Sequence, residues 1–247
     1  MTSLDNKLAM VTGAAGVLGE AIVRGLIARG CRVIAVDIQC DPLTALENEL
    51  GSKVIPLSLD VSDDRAIAQA ATLIRKNWGD VDILINNAGI LSNKKAVETS
   101  ADEWRKLMSI NLDGAFFLAR EWLSGMKKNG WGRIVNVCSL AAKTGGLTAG
   151  TAYTTSKGGM TALTFSLARE SAKYGVTVNG ISPAYIKTPM VMEQLSEQQR
   201  QKLLNDIPVG RFCDGEEVAH VVDFLVSPLS GFITGEIVDI NGGLHLD

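Results

Sequence analysis

Leu8-Ala9-Met10-Val11-Thr12-Gly13-Ala14-Ala15-Gly16-Val17-Leu18-Gly19 is the stretch on which the reading of the whole chain turns. A short apolar run stops at a glycine, as a buried parallel strand does. A helix-compatible segment, Glu20 to Arg29, follows and ends at Gly30, the position just past a helix where glycine is favoured. Arg32-Val33-Ile34-Ala35-Val36 is a second apolar run, closed by Asp37. Glycines in a turn before a helix often serve the turn alone. Strand, glycine turn, helix, strand and acid in this order, however, are what a dinucleotide site requires. The glycines let the backbone approach a pyrophosphate, and the helix start offers it unpaired N–H groups and a positive dipole end. Asp37 is placed to accept hydrogen bonds from the ribose hydroxyls. Its carboxylate would also repel the extra phosphate of NADP, and Ile38 and Gln39 bring no cation, so these residues favour NAD over NADP.

The alternation continues along the chain. Lys53 to Leu59 reads as a strand ending in Asp60, Ser62 to Trp78 as a helix, and Val81 to Ile85 as a strand running into Asn86-Asn87-Ala88-Gly89. Ser100-Ala101-Asp102-Glu103 has the form of a capping box before a long helix that carries Asn111. Gly132 to Cys138 is a fifth strand, Tyr153 to Tyr174 a helix, Val176 to Ile181 a sixth strand, Glu216 to Val226 a helix and Glu236 to Ile240 a last strand. Repeated strand–helix units with right-handed crossovers predict a single-domain α/β fold. Its core is a Rossmann-type doubly wound parallel sheet of about seven strands, with helices on both faces. A ligand then belongs at the carboxyl ends of the strands, where Gly13, Asp37, Asp60, Asn87 and Ser139 all fall.

Tyr153 and Lys157, four residues apart on a helix, share one face and bring a phenol beside an ammonium. A fixed positive charge nearby favours the phenolate, which predicts a lowered pKa and a general acid/base role for Tyr153. Ser139, at the end of the apolar run Ile134 to Cys138, could bond the oxygen whose charge changes. Taken singly, each residue also has an ordinary reading: Lys157 as a solvated lysine, Asn111 as a polar helix residue, Asp60 and Thr188 as caps.

The 247 residues are 46% hydrophobic and 21% charged with a formal net charge of −3, a composition suited to an ordinary globular core. Mild acidity without a basic cluster argues against nucleic acid or an anionic membrane as partner. No apolar run approaches the ~20 residues of a membrane span, and Met1 to Asn6 lacks the form of a signal peptide, so a cytoplasmic location is expected. Four dispersed cysteines and two histidines form no metal-ligand pattern.

The ordered set of the glycine turn, Asn86-Asn87-Ala88-Gly89, Ser109-Ile110-Asn111, Ile134-Val135-Asn136, Ser139, Tyr153-x-x-x-Lys157 and Phe232 through Gly243 resembles the short-chain dehydrogenase/reductase family over essentially the whole chain. The resemblance implies hydride transfer between a nicotinamide and a substrate carbon, with Tyr153 as acid/base and Ser139 orienting the substrate oxygen. Lys157 would lower the pKa of Tyr153 and hold the nicotinamide ribose. Asn111 would bend its helix and hold, through its backbone carbonyl, a water that relays protons to Lys157. It also implies cofactor contacts from Gly13, Gly16, Leu18, Gly19, Asp37, Asp60, Val61, Asn87, Gly89, Tyr153, Lys157, Pro183, Ile186 and Thr188, with no metal. Two positions depart from the family pattern. The middle glycine is Gly16, with Val17 where the short members have glycine, and Ala184 follows Pro183 where they have glycine. Val17 is expected to turn inward toward the sheet; Ala184 costs on the order of 1 kcal/mol if a positive φ is needed there.

Tyr185 to Phe212 reads as a substrate lid with an amphipathic helix from Pro189 to Leu204, and Leu140 to Thr151 as the other specificity segment. The leading expectation is an NAD-dependent dehydrogenase or reductase of small secondary alcohols, polyols or 3-oxo compounds. The alternatives are an NADPH-dependent 3-oxoacyl thioester reductase and, from another class, a non-catalytic dinucleotide-sensing scaffold. The resemblance further implies a homotetramer or homodimer that pairs the helices Ser100 to Lys128 and Tyr153 to Tyr174, with Gly158, Gly159, Ala162 and Ala168 allowing close approach.

Overall fold

The computed structural model of the chain describes residues 3–188 and 196–246. Leu8–Thr12 (β1) is buried at every position, as the centre of a sheet covered on both faces must be. It pairs in parallel with Arg32–Asp37 (β2) and Ile83–Asn86 (β4). With Val54–Ser58 (β3), Gly132–Val137 (β5), Val176–Pro183 (β6) and Ile237–Ile240 (β7) it completes a seven-stranded parallel sheet in the order β3-β2-β1-β4-β5-β6-β7. The order reverses between β1 and β4, which opens a crevice at the carboxyl ends of these two strands.

Alternate residues of β1 feed two cores. Ala9 and Val11 pack with α1 (Val17–Ala28), α2 (Cys40–Leu50) and a helix near the C-terminus, Gly215–Val226. Leu8 and Met10 pack with α3 (Asp64–Asn77), with α5 (Gly114–Asn129), whose Trp122 is fully buried, and with α7 (Thr151–Ser171), which the short α6 (Ala141–Thr144) precedes. The single-domain, doubly wound architecture read from the sequence is therefore the one observed.

Four local differences have physical causes. Helix α2 has no counterpart in the sequence reading; its Pro42 lies in the first turn, where the missing N–H has no intrahelical partner to lose. Asp60 does not cap α3; Asp63 does, accepting from the N–H groups of Arg65 and Ala66. Ser100 caps α4 (Ala101–Met108) through the Glu103 N–H at 3.2 Å, but the Glu103 carboxylate turns away to Ser92 and Lys94. In the lid segment the described helix, α8, is Glu197–Asp206, opened by a Ser196–Gln199 capping box. Pro189 to Leu195, with Met190, Val191 and Met192, lies outside the described residues. The C-terminal helix Gly215–Val226 is α9.

Candidate active site

The crevice is a groove of about 840 Å³, and every predicted site residue except Asn111 lines it. Its floor begins at the turn from β1 to α1. Gly13 has φ +65°, and a Cβ there would stand 2.9 Å from Asn87 Nδ2; a Cβ at Gly19 would collide with the Gly13 carbonyl. These two glycines are demanded by packing. Gly16 differs: a Cβ on it would meet only the Gly13 oxygen, at an ordinary 3.5 Å. As the N-cap of α1 it faces the groove beside the free N–H groups of the first turn, a surface suited to a pyrophosphate. Leu18 is the residue of that turn that goes inward; Val17, expected to do so, is 40% exposed and lies near Gly215. The reason is helical phase, since neighbouring positions point about 100° apart.

Thr12 and Asn87 hold this turn together. The buried Thr12 hydroxyl accepts the N–H groups of Asn87 and Ala88, both at 3.0 Å, while Asn87 Nδ2 donates to the carbonyls of Thr12 (2.8 Å) and Gly13 (3.1 Å). Asn87 thus shapes the groove with its amide already engaged. Thr12 was missed in the sequence, although a hydroxyl closing an apolar strand was the available signal. Asp60 accepts from the Ser62 N–H and hydroxyl, which hold its carboxyl below the usual range, and the buried Val61 follows it.

At the other end, Ser139 follows β5, and Tyr153 and Lys157 stand on α7, whose start at Gly150 abuts the loop after β4. Lys157 is 3% exposed; its Nζ donates to the Val137 carbonyl at 2.7 Å, and burial pushes the ammonium down to about 8. Nζ lies 5.9 Å from the centre of the Tyr153 ring. Burial pushes the Tyr153 phenol up, and only the hydrogen bond with Ser139 opposes this. The lowering of Tyr153 by Lys157 expected from their spacing is therefore not present in the chain alone, because the ammonium is committed to Val137 and is itself desolvated.

Asn111 falls in a π-helical turn, Ser109–Asp113, between α4 and α5, the kind of distortion that collects at functional sites. Its fully buried side chain pairs both ways with Ile90, Oδ1 accepting the N–H at 2.8 Å and Nδ2 donating to the carbonyl at 3.0 Å. Nδ2 also donates to Ser156 Oγ at 3.1 Å, and that hydroxyl donates to the Tyr153 carbonyl at 2.7 Å. Ser156 was not read from the sequence; its place directly before Lys157 was the only hint. Gly89 leaves room at this junction, since a Cβ would lie 3.3 Å from Asn111 Oδ1 and 3.5 Å from Lys157 Nζ.

Pro183, Ala184, Ile186 and Thr188 line the far wall. Ile186 bridges to Cys213. Among the described residues Asn6 alone has a positive φ without being glycine, so Ala184 carries none of the strain considered above. The mouth is formed by Ile90, Leu91, Leu147, Thr148 and Tyr185, with a hydroxyl bridge of 3.1 Å between Thr148 and Tyr185.

Residues 13–245 match a family model described as enoyl-(acyl carrier protein) reductase. Over 244 residues, 99% of either chain, the protein is 37% identical to the 3-oxoacyl-[acyl-carrier-protein] reductase FabG of Vibrio harveyi. The chain belongs to the short-chain dehydrogenase/reductase family. As a family member it is an NAD(P)-dependent oxidoreductase acting between CH–OH and carbonyl carbons. Among solved structures it is similar to a glucose/ribitol dehydrogenase of the family from Brucella melitensis, with TM-score 0.92, 33% identity and 100% and 99% of the two chains covered. A candidate NAD(P)-dependent gluconate 5-dehydrogenase from Beutenbergia cavernae superposes with TM-score 0.92 at 31% identity over 98% of each chain, and that structure holds NADP.

The last finding, with the full-length match to FabG reductases, corrects the reading of NAD as cofactor. The argument from Asp37 assumed a free carboxylate. In the structure Oδ2 accepts the Ala15 N–H and Oδ1 the Gln39 N–H, both at 3.1 Å. Two donors already oppose its charge, so repulsion of a phosphate is weaker than the bare sequence implies. Among the described residues no helix is long and apolar enough to cross a membrane, and no three His, Cys, Asp or Glu side chains cluster as metal ligands would.

Proposed function

We propose that the chain is an NADP(H)-dependent reductase of 3-oxoacyl thioesters. The observation that carries this reading is the apolar mouth beside Ser139 and Tyr153. Ile90, Leu91, Leu147 and Ala149 line it. The only cations among the described lining residues are Lys106, whose charge bears on Asp60, and Lys157, which is bonded to Val137. A sugar acid such as gluconate would leave its carboxylate without a cationic partner at this mouth, whereas an acyl chain needs none. The full-length likeness to FabG reductases supports the same choice.

When bound, the nicotinamide supplies the hydride. Ser139 holds the substrate carbonyl oxygen, and the Tyr153 hydroxyl delivers a proton to it as charge develops there. Lys157 keeps a positive charge beneath the groove, and Asn111 fixes the Gly89–Ile90 backbone against α7. Gly13, Gly16, Leu18, Gly19, Asp37, Asp60, Val61, Asn87, Gly89, Pro183, Ile186 and Thr188 form the cofactor's bed. Assay of initial rates with NADPH and a short 3-oxoacyl thioester, beside gluconate with NADP⁺, tests the reading. Turnover of the thioester is expected to exceed that of the sugar acid by at least about a hundredfold in kcat/KM. The reverse order would overturn it.

The assembly we infer is a homodimer or homotetramer built on the outer faces of α5 and α7, where Phe116 and Phe165 are 42% and 48% exposed and Gly158 opens onto free space. Gly159 and Ala168, expected to join that face, are used within the chain against Leu112 and in the core. Sedimentation as a monomer at micromolar concentration would contradict the assembly.

A further inference from the structure

The groove's mouth is made of two loops that the sheet does not hold: Ile90–Lys95, after β4, and Gly145–Gly150, before α7. Residues of the second have little regular structure of their own. Gly145 and Gly146 both have positive φ (+74° and +79°), and of Leu147 and Thr148, which line the groove, both are exposed. Something must define where this segment stands, because an unsupported loop of glycines samples many conformations.

The first loop supplies that definition. The Gly150 N–H donates to the Ser92 carbonyl at 2.7 Å and the Thr151 N–H to the Lys94 carbonyl at 3.1 Å, which fixes the end of the second loop. Contact there is close enough that a Cβ on Gly150 would lie 2.7 Å from the Ser92 oxygen. Among the described residues one side chain bonds the backbone in the middle of the loop. Lys95 Nζ donates to the carbonyls of Ala149 at 2.7 Å and Gly146 at 3.3 Å, bracketing Leu147 and Thr148. Lys95 is itself held, its N–H donating to Glu98 Oε2 at 3.1 Å. The loop before it is anchored to α4, with Ser92 Oγ and Lys94 Nζ both on the Glu103 carboxylate at 2.7 and 2.9 Å. A hydroxyl bridge from Thr148 to Tyr185 also touches the segment.

We propose that Lys95 is a positioning residue for substrate: by bonding the carbonyls of Gly146 and Ala149 it clasps the two mouth loops together and sets where Leu147 and Thr148 meet the bound chain. Lys95 touches neither the reacting atoms nor the cofactor bed, so its effect falls on substrate capture. A charged donor to two carbonyls is a strong tether for a short loop, and an aliphatic side chain of equal length cannot replace it. The substrate side of this inference rests on the 3-oxoacyl reading above; the loop side does not.

The test uses the full-length protein with Lys95→Met and Lys95→Arg. In Lys95→Met the KM for the 3-oxoacyl thioester is expected to rise about tenfold, with kcat changed less than about threefold and NADPH affinity, followed by nicotinamide fluorescence, unchanged. Lys95→Arg should restore KM to within about threefold of the parent. Independently of any substrate, amide hydrogen exchange at Gly146 to Ala149 should quicken about tenfold or more in Lys95→Met and not in Lys95→Arg. A parent enzyme inactive on the thioester would sink the functional reading and leave the clasp to be judged by exchange alone. Unchanged exchange in Lys95→Met, or a parallel loss of NADPH binding, would overturn the clasp.

Discussion

The two ends of the groove are built to different standards. At the Tyr153 end three polar side chains are buried and shared: Asn111 bonds Ile90 and Ser156, Ser156 bonds the Tyr153 backbone, and Lys157 bonds Val137. At the Asp37 end one half-exposed carboxylate rests on two backbone N–H groups. Chemistry that must place a proton relative to a carbonyl needs the first kind of construction, because small misplacements cost rate steeply. Discrimination between two cofactors can hang on the second kind. The contrast also explains why the residues gathered at the Tyr153 end could be picked out together in the sequence, while the cofactor preference was misread. The former stand in a fixed order, the latter rests on one side chain whose bonding the sequence does not display.

The sharpest way to break this comparison is at Tyr153. Tyr153→Phe is expected to lower kcat at least about a thousandfold while NADPH still binds within about threefold, since a general acid and its companions contribute at that scale. A variant that retains a tenth of the activity would show that the buried end is scaffolding. Next in size, Gly19→Ala should reduce NADPH affinity about a hundredfold or unfold the turn, because a Cβ there collides with the Gly13 carbonyl. Gly16→Ala leaves the protein's own packing intact and should fold with an unchanged melting temperature. Equal damage to folding from both would mean that the turn is held otherwise than described.

A third test concerns Lys157. Its folded-state pKa of about 8 lies below the ordinary 10.5. Below pH 8 both states carry the proton and the native state bears the full cost of burying it. Between pH 8 and 10.5 the native state has released the proton while the unfolded chain still holds it, so stability rises with pH. Urea unfolding of the parent and Lys157→Met should therefore diverge in the parent's favour by on the order of 3 kcal/mol across that window. A difference that stays flat with pH would place the ammonium in water. The smallest expected effect is at the other end of the groove. Asp37→Ser should tighten NADPH about tenfold, as removal of one like charge at close range allows; a loss of affinity would mean that the carboxylate is a needed brace for Ala15.

Much of the fold was legible because the central strands spell apolar runs, and β1, β2, β4 and β5 end at or run into Gly13, Asp37, Asn87 and Ser139, which line the groove. Helix α2 was not, since Pro42 looks the same in a loop and in a first helical turn. Thr12, Ser156 and Lys95 escaped for a common reason. Each depends on partners that its sequence neighbourhood does not display: Thr12 and Lys95 on backbone groups of a distant segment, Ser156 on the side chain of Asn111. Val17 was placed on the wrong side because the turn's phase depends on where α1 begins, and the helix starts at Val17 itself, earlier than the apolar pattern suggested.

The π turn at Ser109–Asp113 has a mechanical consequence. It is a helix carrying one residue more than its hydrogen bonding needs, and that surplus is what swings Asn111 into register with Ile90 and Ser156. Deleting a single residue there would heal the helix into regular α form with α4 and α5 still nearly in phase, because a π turn closes one revolution with one residue more than an α turn. Trp104 and Leu107 would then keep their neighbours, but Asn111, inside the turn, would leave its own. The segment thus behaves as a keyed joint: side chains along α4 and α5 can be exchanged one at a time, but the number of residues between Ser100 and Gly114 is not free to drift.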